Sequence, residues 1–377
     1  MADRLCRVGF IGCGALMNRQ HIQNAHHSEM LQVHTLCDIK EEALESTAAK
    51  FPPVRKTADY TELLADADVD LVVIAMRPEF HAKFAVESLR AGKPVYVEKP
   101  LGETIEKTRE VAAVAAETGL PVAVGFNRRF APAYNDVKPL LADRVGEPVV
   151  FYRIADREIG RRAGNPRLLE EVCHIYDILT WLTDSDPVRV YATEGSHHND
   201  NIVTLSFESG ATATILSTGK ASLENPKEHL EVFWDNRSAF VEDFIEARYF
   251  RLPGMPPLKH YAGRTDVNTP AEVSASFGEP GGLEACLEVK RRFNAEWDKM
   301  EAGEPYDKAV TAMPVNYVMD KGWQIALEEM GTAVLEGRSP RNANALDGVR
   351  ATAVALAAQE SVAKGLPVDL DASVWRT

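Results

Sequence analysis

Residues 168–182, LLEEVCHIYDILTWL, are almost wholly apolar yet carry groups able to move protons. Glu170, His174 and Asp177 are spaced four and then three apart. A helix at about 100° per residue therefore sets all three on one stripe, with Trp181 closing its lower end. Leu168, Leu169, Val172, Cys173, Ile175, Ile178, Leu179 and Leu182 cover most of the remaining circumference. A helix this apolar belongs in a core, and buried ionisable groups need partners, so the stripe should face a cleft or a ligand. The same spacing also describes a core histidine satisfied locally by Glu170 at i−4 and Asp177 at i+3. The segment alone leaves both readings open.

A second constellation opens the chain. In VGFIGCGALM, Gly12 and Gly14 stand between a strand expected at 6–12 and a helix expected at 15–27. Gly12 suits a tight turn. Gly14 lets the backbone approach a pyrophosphate seated on the helix N-terminus, where Ala15 and Leu16 form the first turn. Asp38 ends the next strand (31–38), roughly 20 residues on, where an acid accepts both ribose hydroxyls of a dinucleotide and repels a 2′-phosphate. That favours NAD over NADP, with Ile39 beside the acid; Lys40 counts the other way. The alternative is an aspartate that merely starts the next helix. Met17 stands at the third glycine position and implies looser helix–strand packing there.

These groups need a scaffold. Further short apolar strands are expected at 70–75, 94–98 and 121–125, separated by helices at 39–51, 79–91 and 104–118. Such alternation predicts an α/β, doubly wound parallel sheet of the Rossmann kind over residues 1–126. After GFNRRF (125–130) the texture turns β-rich, with period-two alternation in segments such as NIVTLSFESG and ATATILSTG. Residues 127–377 should therefore form a C-terminal α+β domain with a large, mainly antiparallel, open sheet. Helices are expected near 283–300, 319–336 and 345–364, the last ended by Gly365 and Pro367.

Totals agree with a two-domain protein: 377 residues exceed what one core usually supports. A formal charge of −14 argues against nucleic acid or an anionic membrane as partner. Cys6, Cys13, Cys37, Cys173 and Cys286 show no C-x-x-C spacing, which fits reduced thiols better than disulfides or a zinc site; no metal is expected. With no export-like leader and no apolar run of about 18 residues, a cytoplasmic, non-membrane location is expected.

The motif that ceases to be generic is VYVEKPLGET (95–104). Glu98-Lys99-Pro100 after a strand of a nucleotide-binding domain resembles the E-K-P motif of the glucose–fructose oxidoreductase/inositol dehydrogenase (Gfo/Idh/MocA) family. GFIGCG, VGFNRRFAP, CHIYDILTWL and the closing ALDGVRATAVALAAQESVAKGLPVDL fall in the order of that family, across nearly the whole chain. The resemblance implies NAD as cofactor and places Glu98 and Lys99 beside nicotinamide. It makes Lys99, Glu170 and His174 the catalytic group. His174 is then the general base toward a substrate hydroxyl, and Lys99 stabilises the developing oxyanion. Glu170, where many members carry Asp, orients His174 or binds a neighbouring hydroxyl; Asp177 of the H-x-x-D is expected to be structural. Met76-Arg77-Pro78-Glu79-Phe80-His81 departs from the usual T-P-N-x-x-H, so Arg77 is placed toward the nicotinamide or the substrate. Trp323 stands where a His is often found. Residues 262–316 resemble an insertion, either an oligomer arm or a lid. A homodimer or homotetramer is implied by the resemblance alone.

The substrate is a small molecule that the resemblance places among sugars and cyclitols, contacted by Lys99, Asn127, Arg128, Glu170 and His174. Residues 152–167 add Arg153, Arg157, Arg161, Arg162 and Arg167 in an otherwise acidic chain. Arginine suits bidentate capture of carboxylate, phosphate or sulfonate, so Arg153 and Arg157 point to an anionic substrate: a uronate, a nucleotide sugar or a sulfosugar. Pairing of these arginines with acids such as Asp156 and Glu158 is the competing explanation. Three functions fit: an NAD-dependent dehydrogenase of a secondary ring hydroxyl, an NAD-dependent glycosidase working by transient oxidation, elimination, hydration and re-reduction, or a non-catalytic sensor. Retention of Lys99 and His174 speaks against the sensor.

Overall fold

Runs of three to seven residues, all but one of them largely apolar, make the first sheet of the computed structural model, which describes residues 4–51, 54–156, 167–195, 200–264, 271–278, 280–313 and 318–376. Its strands are β1 (Cys6–Ile11), β2 (Leu31–Cys37), β3 (Arg55–Thr57), β4 (Leu71–Ile74), β5 (Val95–Val97) and β6 (Val122–Val124). They pair in parallel in the order β3-β2-β1-β4-β5-β6. β4, β5 and β6 are buried along their whole length, as strands covered on both faces must be. The strand order reverses at β1, so a crevice opens beyond the carboxyl ends of β1 and β4, where such sheets bind ligands. Local chemistry sets the helices between strands. Pro78 opens Pro78–Arg90, while Thr104 caps Ile105–Thr118, which ends on Gly119 at φ +69°.

The chain divides into two units. The first is Met1–Asn127 with Gly322–Leu356 and Asp371–Thr377; the second is Arg128–Lys321 with Ala357–Leu370. The division thus differs from a single cut at 126, because later segments return to the first sheet. Helix Trp323–Glu336 presents Gly331 to Leu31 and Cys6, and the carbonyl of Ala343 accepts from Val124 N at 2.8 Å.

The second unit holds nine strands: β7 (Val149–Ala155), β8 (Pro187–Glu194), β9 (Asn201–Phe207), β10 (Thr212–Thr218), β11 (Glu228–Trp234), β12 (Arg237–Glu242), β13 (Glu246–Phe250), β14 (Leu258–His260) and β15 (Val368–Asp369). Their order is β14-β13-β12-β11-β7-β10-β9-β8-β15; β7 and β10 are parallel and all other neighbours antiparallel. Burial alternates along β9 and β11, so one face carries the core. Val149, Tyr191, Ile202, Phe233 and Phe250 remain exposed. Within 262–316, helices Gly282–Glu301 and Lys308–Ala312 close a small core of Leu223, Phe293 and Val310, and buried Lys290 pairs with Asp243. Among the described residues no helix is long and apolar enough to cross a membrane.

Two helix expectations change. Residues 168–182 are not one helix: Arg167–Glu170 ends in a two-residue turn, and Cys173–Thr183 follows. Glu170 and His174 therefore do not share one continuous helical stripe. The first helix is likewise irregular, with a π turn over Met17–His21 ahead of Ile22–His26.

Candidate active site

The glycine turn is built as a dinucleotide site requires. Gly12 sits at φ +95°, and a Cβ there would meet Ala75 O and Met76 Cγ at 3.2 Å. No residue with a side chain fits without strain. A Cβ on Gly14, by contrast, would meet nothing within 4 Å, so space stands open above this backbone. The Asp38 carboxylate braces the turn: Oδ2 accepts from Cys13 N at 2.7 Å and Oδ1 from Lys40 N at 2.8 Å. Each oxygen keeps acceptor capacity for a ribose hydroxyl. Ala15 is exposed, Leu16 half-buried, and Ile39 is 86% exposed beside the acid. Asn18, which the sequence reading missed, donates to Cys13 O at 2.8 Å and to Thr47 Oγ1 at 3.0 Å. Open backbone, a paired-hydroxyl acceptor and a helix start fit NAD. Met17, at the third glycine position, is fully buried at the onset of the π turn.

Arg77 opens the helix after β4; its guanidinium lies 3.3 Å from Glu79 and 5.3 Å from the centroid of Phe80. Glu98 and Lys99 follow β5 at the same edge of the sheet. Glu98 is buried, with Oε1 2.9 Å from His21 Nε2 and Oε2 accepting the Lys99 amide at 3.2 Å. Burial would push this carboxyl up, but the hydrogen bond and charge of His21, with Lys99 and His81, hold it below the usual carboxylate value. A Cβ on Gly125 would lie 2.9 Å from that carboxylate, so a side chain there would have to displace it.

In the second unit, His174 and Asp177 are buried on Cys173–Thr183, and Glu170 is half-buried at the end of the preceding short helix. Asp177 is clamped by Arg129, with Nε at 2.9 Å from Oδ2 and Nη2 at 2.5 Å from Oδ1. The neighbouring Glu171 joins a compact cluster instead: Arg167 and Lys227 both contact Glu171 and Asp156 at 2.6–3.2 Å. Arg128 is buried, with Nε and Nη2 on the Glu228 carboxylate at 2.6 and 2.8 Å. Tyr152 and Lys321 also donate to Glu228, at 2.7 and 2.8 Å. Burial opposes the Glu228 charge, yet Arg128 and Lys321 hold its carboxyl well below the usual range.

Arg153 points away from Tyr152, to the other face of β7, where its Nη2 lies 2.6 Å from Glu242 Oε1. Arg157 lies outside the described residues, as do Arg161 and Arg162. Asn127 is buried at the start of a short 3₁₀ turn, Asn127–Phe130. The first unit thus gathers Gly12, Gly14, Asp38, Arg77, Glu98 and Lys99 at one sheet edge. In the second unit His174 and Arg128 are buried and Glu170 is half-buried, while Arg153 is turned to Glu242. The sequence reading missed His21, Arg129, Glu228 and Lys321, whose partners are distant in the chain.

Residues 6–126 match the family model GFO_IDH_MocA, described as an oxidoreductase family with an NAD-binding Rossmann fold. Over these residues the chain is similar to the Gfo/Idh/MocA oxidoreductase family. Inositol 2-dehydrogenase 2 of Saccharopolyspora erythraea is 35% identical over 195 residues, which span 49% of this chain and 56% of that enzyme. Two solved structures resemble this chain nearly end to end. Scyllo-inositol dehydrogenase of Lactobacillus casei, with bound NAD(H) and scyllo-inositol, has a TM-score of 0.72 at 17% identity, covering 97% of this chain and 99% of that one. The WlbA dehydrogenase of Bordetella pertussis, in complex with NADH and UDP-GlcNAcA, has a TM-score of 0.71 at 19% identity, covering 98% and 99%. At such identity the likeness concerns the fold.

Proposed function

We propose that this protein oxidises a secondary ring hydroxyl of a cyclitol or sugar with NAD. The observation that carries this reading is Lys99, held at the end of β5 by a buried glutamate and sharing a sheet edge with the open space over Gly14. Gly12, Gly14, Ala15, Leu16, Asp38, Ile39, Arg77, Glu98 and Lys99 hold the cofactor, which when bound supplies the hydride acceptor. His174 takes the hydroxyl proton, and the Lys99 ammonium stabilises the oxygen as it becomes anionic. Glu170, Asn127 and Arg128 complete the substrate contacts.

Names of relatives bear on the substrate class. One is an inositol dehydrogenase, one neighbour holds scyllo-inositol and another a nucleotide sugar acid. The arginine argument for an anion is narrower than the sequence suggested, since Arg153 and Arg167 already face carboxylates. It now rests on Arg157, Arg161 and Arg162. The exposed Phe233 and Phe250 on the second sheet support self-association as a homodimer or homotetramer, which sedimentation measures.

The test is a panel of inositols, neutral sugars, their anionic counterparts and glycosides, incubated with protein and NAD while following reduced nicotinamide and released aglycone. Stoichiometric reduced cofactor supports the dehydrogenase, and aglycone without net reduction overturns it in favour of the glycosidase. Lys99→Met and His174→Ala each lower kcat by about 10²–10⁴-fold while NAD still binds. Full activity in His174→Ala removes the base assignment.

A further inference from the structure

Two buried histidines contact the Glu98-Lys99-Pro100 segment. His21 is fully buried at the last residue of the π turn, its Nε2 2.9 Å from Glu98 Oε1. The other Glu98 oxygen accepts the Lys99 amide, so imidazole, carboxylate and backbone N–H form one line. The extra residue of a π turn rotates the side chains that follow, and such turns recur at functional sites. The Tyr96 ring packs on the His21 ring, centroids 5.4 Å apart, which fixes the imidazole plane. His81 is also buried, with Nδ1 2.7 Å from Pro100 O and Nε2 3.1 Å from Met76 O. It therefore ties the loop after β5 to the loop after β4.

We infer that His21 and His81 are positioning residues for Lys99: His21 fixes its amide by aligning the Glu98 carboxylate, and His81 fixes the following peptide through the Pro100 carbonyl. Neither histidine touches a reacting group; each acts through an intermediary. The assignment rests on the reading of Lys99 as catalytic, but the restraint on its backbone is measurable without turnover. A lysine side chain has four rotatable carbons, so its ammonium can be placed only if its backbone is immobile. Burial lowers the His81 pKa, while its two carbonyl contacts and the charge of Glu98 oppose that shift.

The decisive experiment compares wild type with His21→Leu, His21→Gln and His81→Leu by amide hydrogen exchange of the peptide containing Lys99, alongside melting temperature, NAD affinity and steady-state kinetics. Gln can place a donor near Nε2, so His21→Gln should keep the slow exchange that His21→Leu loses by about 10-fold or more. His81→Leu should likewise speed exchange in this peptide. In turnover, His21→Leu should lower kcat by about 100-fold with both KM values within about 3-fold, and His21→Gln should recover most of it. Unchanged exchange in His21→Leu and His81→Leu overturns the positioning role whether or not the wild type turns over. Faster exchange in the variants of a wild type that is inactive on every polyol upholds the restraint and overturns the dehydrogenase reading instead.

Discussion

Asp177 takes two arms of the Arg129 guanidinium, and both side chains are nearly closed to solvent. The pair joins the turn that follows Asn127 to the helix that carries His174. Its value lies in registration more than in net energy, because two desolvated charges recover little beyond what burial costs them. Breaking it is another matter. Arg129→Ala leaves a buried carboxylate uncompensated and should lower unfolding free energy by about 3–5 kcal/mol. The double variant Arg129→Met/Asp177→Leu should recover part of that loss. Urea unfolding measures both, and a loss in the double variant equal to the sum of the singles removes the coupling.

Gly12 and Gly14 separate folding from binding. Gly12→Val forces a side chain into φ +95° against Ala75 O, at a cost of about 1–3 kcal/mol. Gly14→Val enters open space and should change stability by no more than about 0.5 kcal/mol, yet lower NAD affinity by at least about 10-fold. Asp38→Asn keeps an acceptor for only one of the two loop amides and loses the charge, so the ratio of NADP to NAD use should rise by about 10-fold. Thermal melts and cofactor titrations report each; a Gly14→Val protein that binds NAD normally excludes this turn as the pyrophosphate seat.

The first sheet was legible because its strands are short apolar runs and its turns carry glycine, both local signals. β3 was missed: Arg-Lys-Thr has no apolar pattern and pairs by backbone alone. The break inside residues 168–182 was illegible for a nonlocal reason. Apolar spacing does not record that Asp156 and Lys227, the latter far along the chain, hold Arg167 and Glu171 where the helix interrupts. The role of Arg153 was illegible in the same way, since its partner Glu242 is 89 residues distant. His21 escaped notice because residues 15–27 were read as a regular helix, and the π turn that redirects its side chain has no sequence mark of its own.

All five cysteines lie buried as free thiols. Burial pushes Cys6, Cys37 and Cys286 up to about 12 and Cys13 to about 11, with Asp70 or Asp38 adding repulsion beside Cys6 and Cys13. Thiolate is therefore scarce near neutral pH, and access is closed as well. A disulfide reagent should find almost no reactive thiol in the native protein and five after denaturation. Rapid labelling of a native cysteine would contradict this burial.

His229 faces a carboxylate at each nitrogen, Glu242 at 2.6 Å from Nδ1 and Glu231 at 2.8 Å from Nε2. Both nitrogens can donate only in the imidazolium. Partial burial opposes the charge, but the two glutamates outweigh it and raise the pKa above its ordinary value; Arg153 shares Glu242 from the neighbouring strand. The folded state thus holds its proton to higher pH than the unfolded chain. Stability from this group is fully present below the unfolded pKa of about 6.5 and is lost as pH rises through the folded value. His229→Gln lacks the titration. The stability gap between wild type and His229→Gln should therefore be larger at about pH 5.5 and shrink toward about pH 9, measured by urea unfolding across that range. Parallel stability curves for the two proteins would show that the glutamates do not hold the proton.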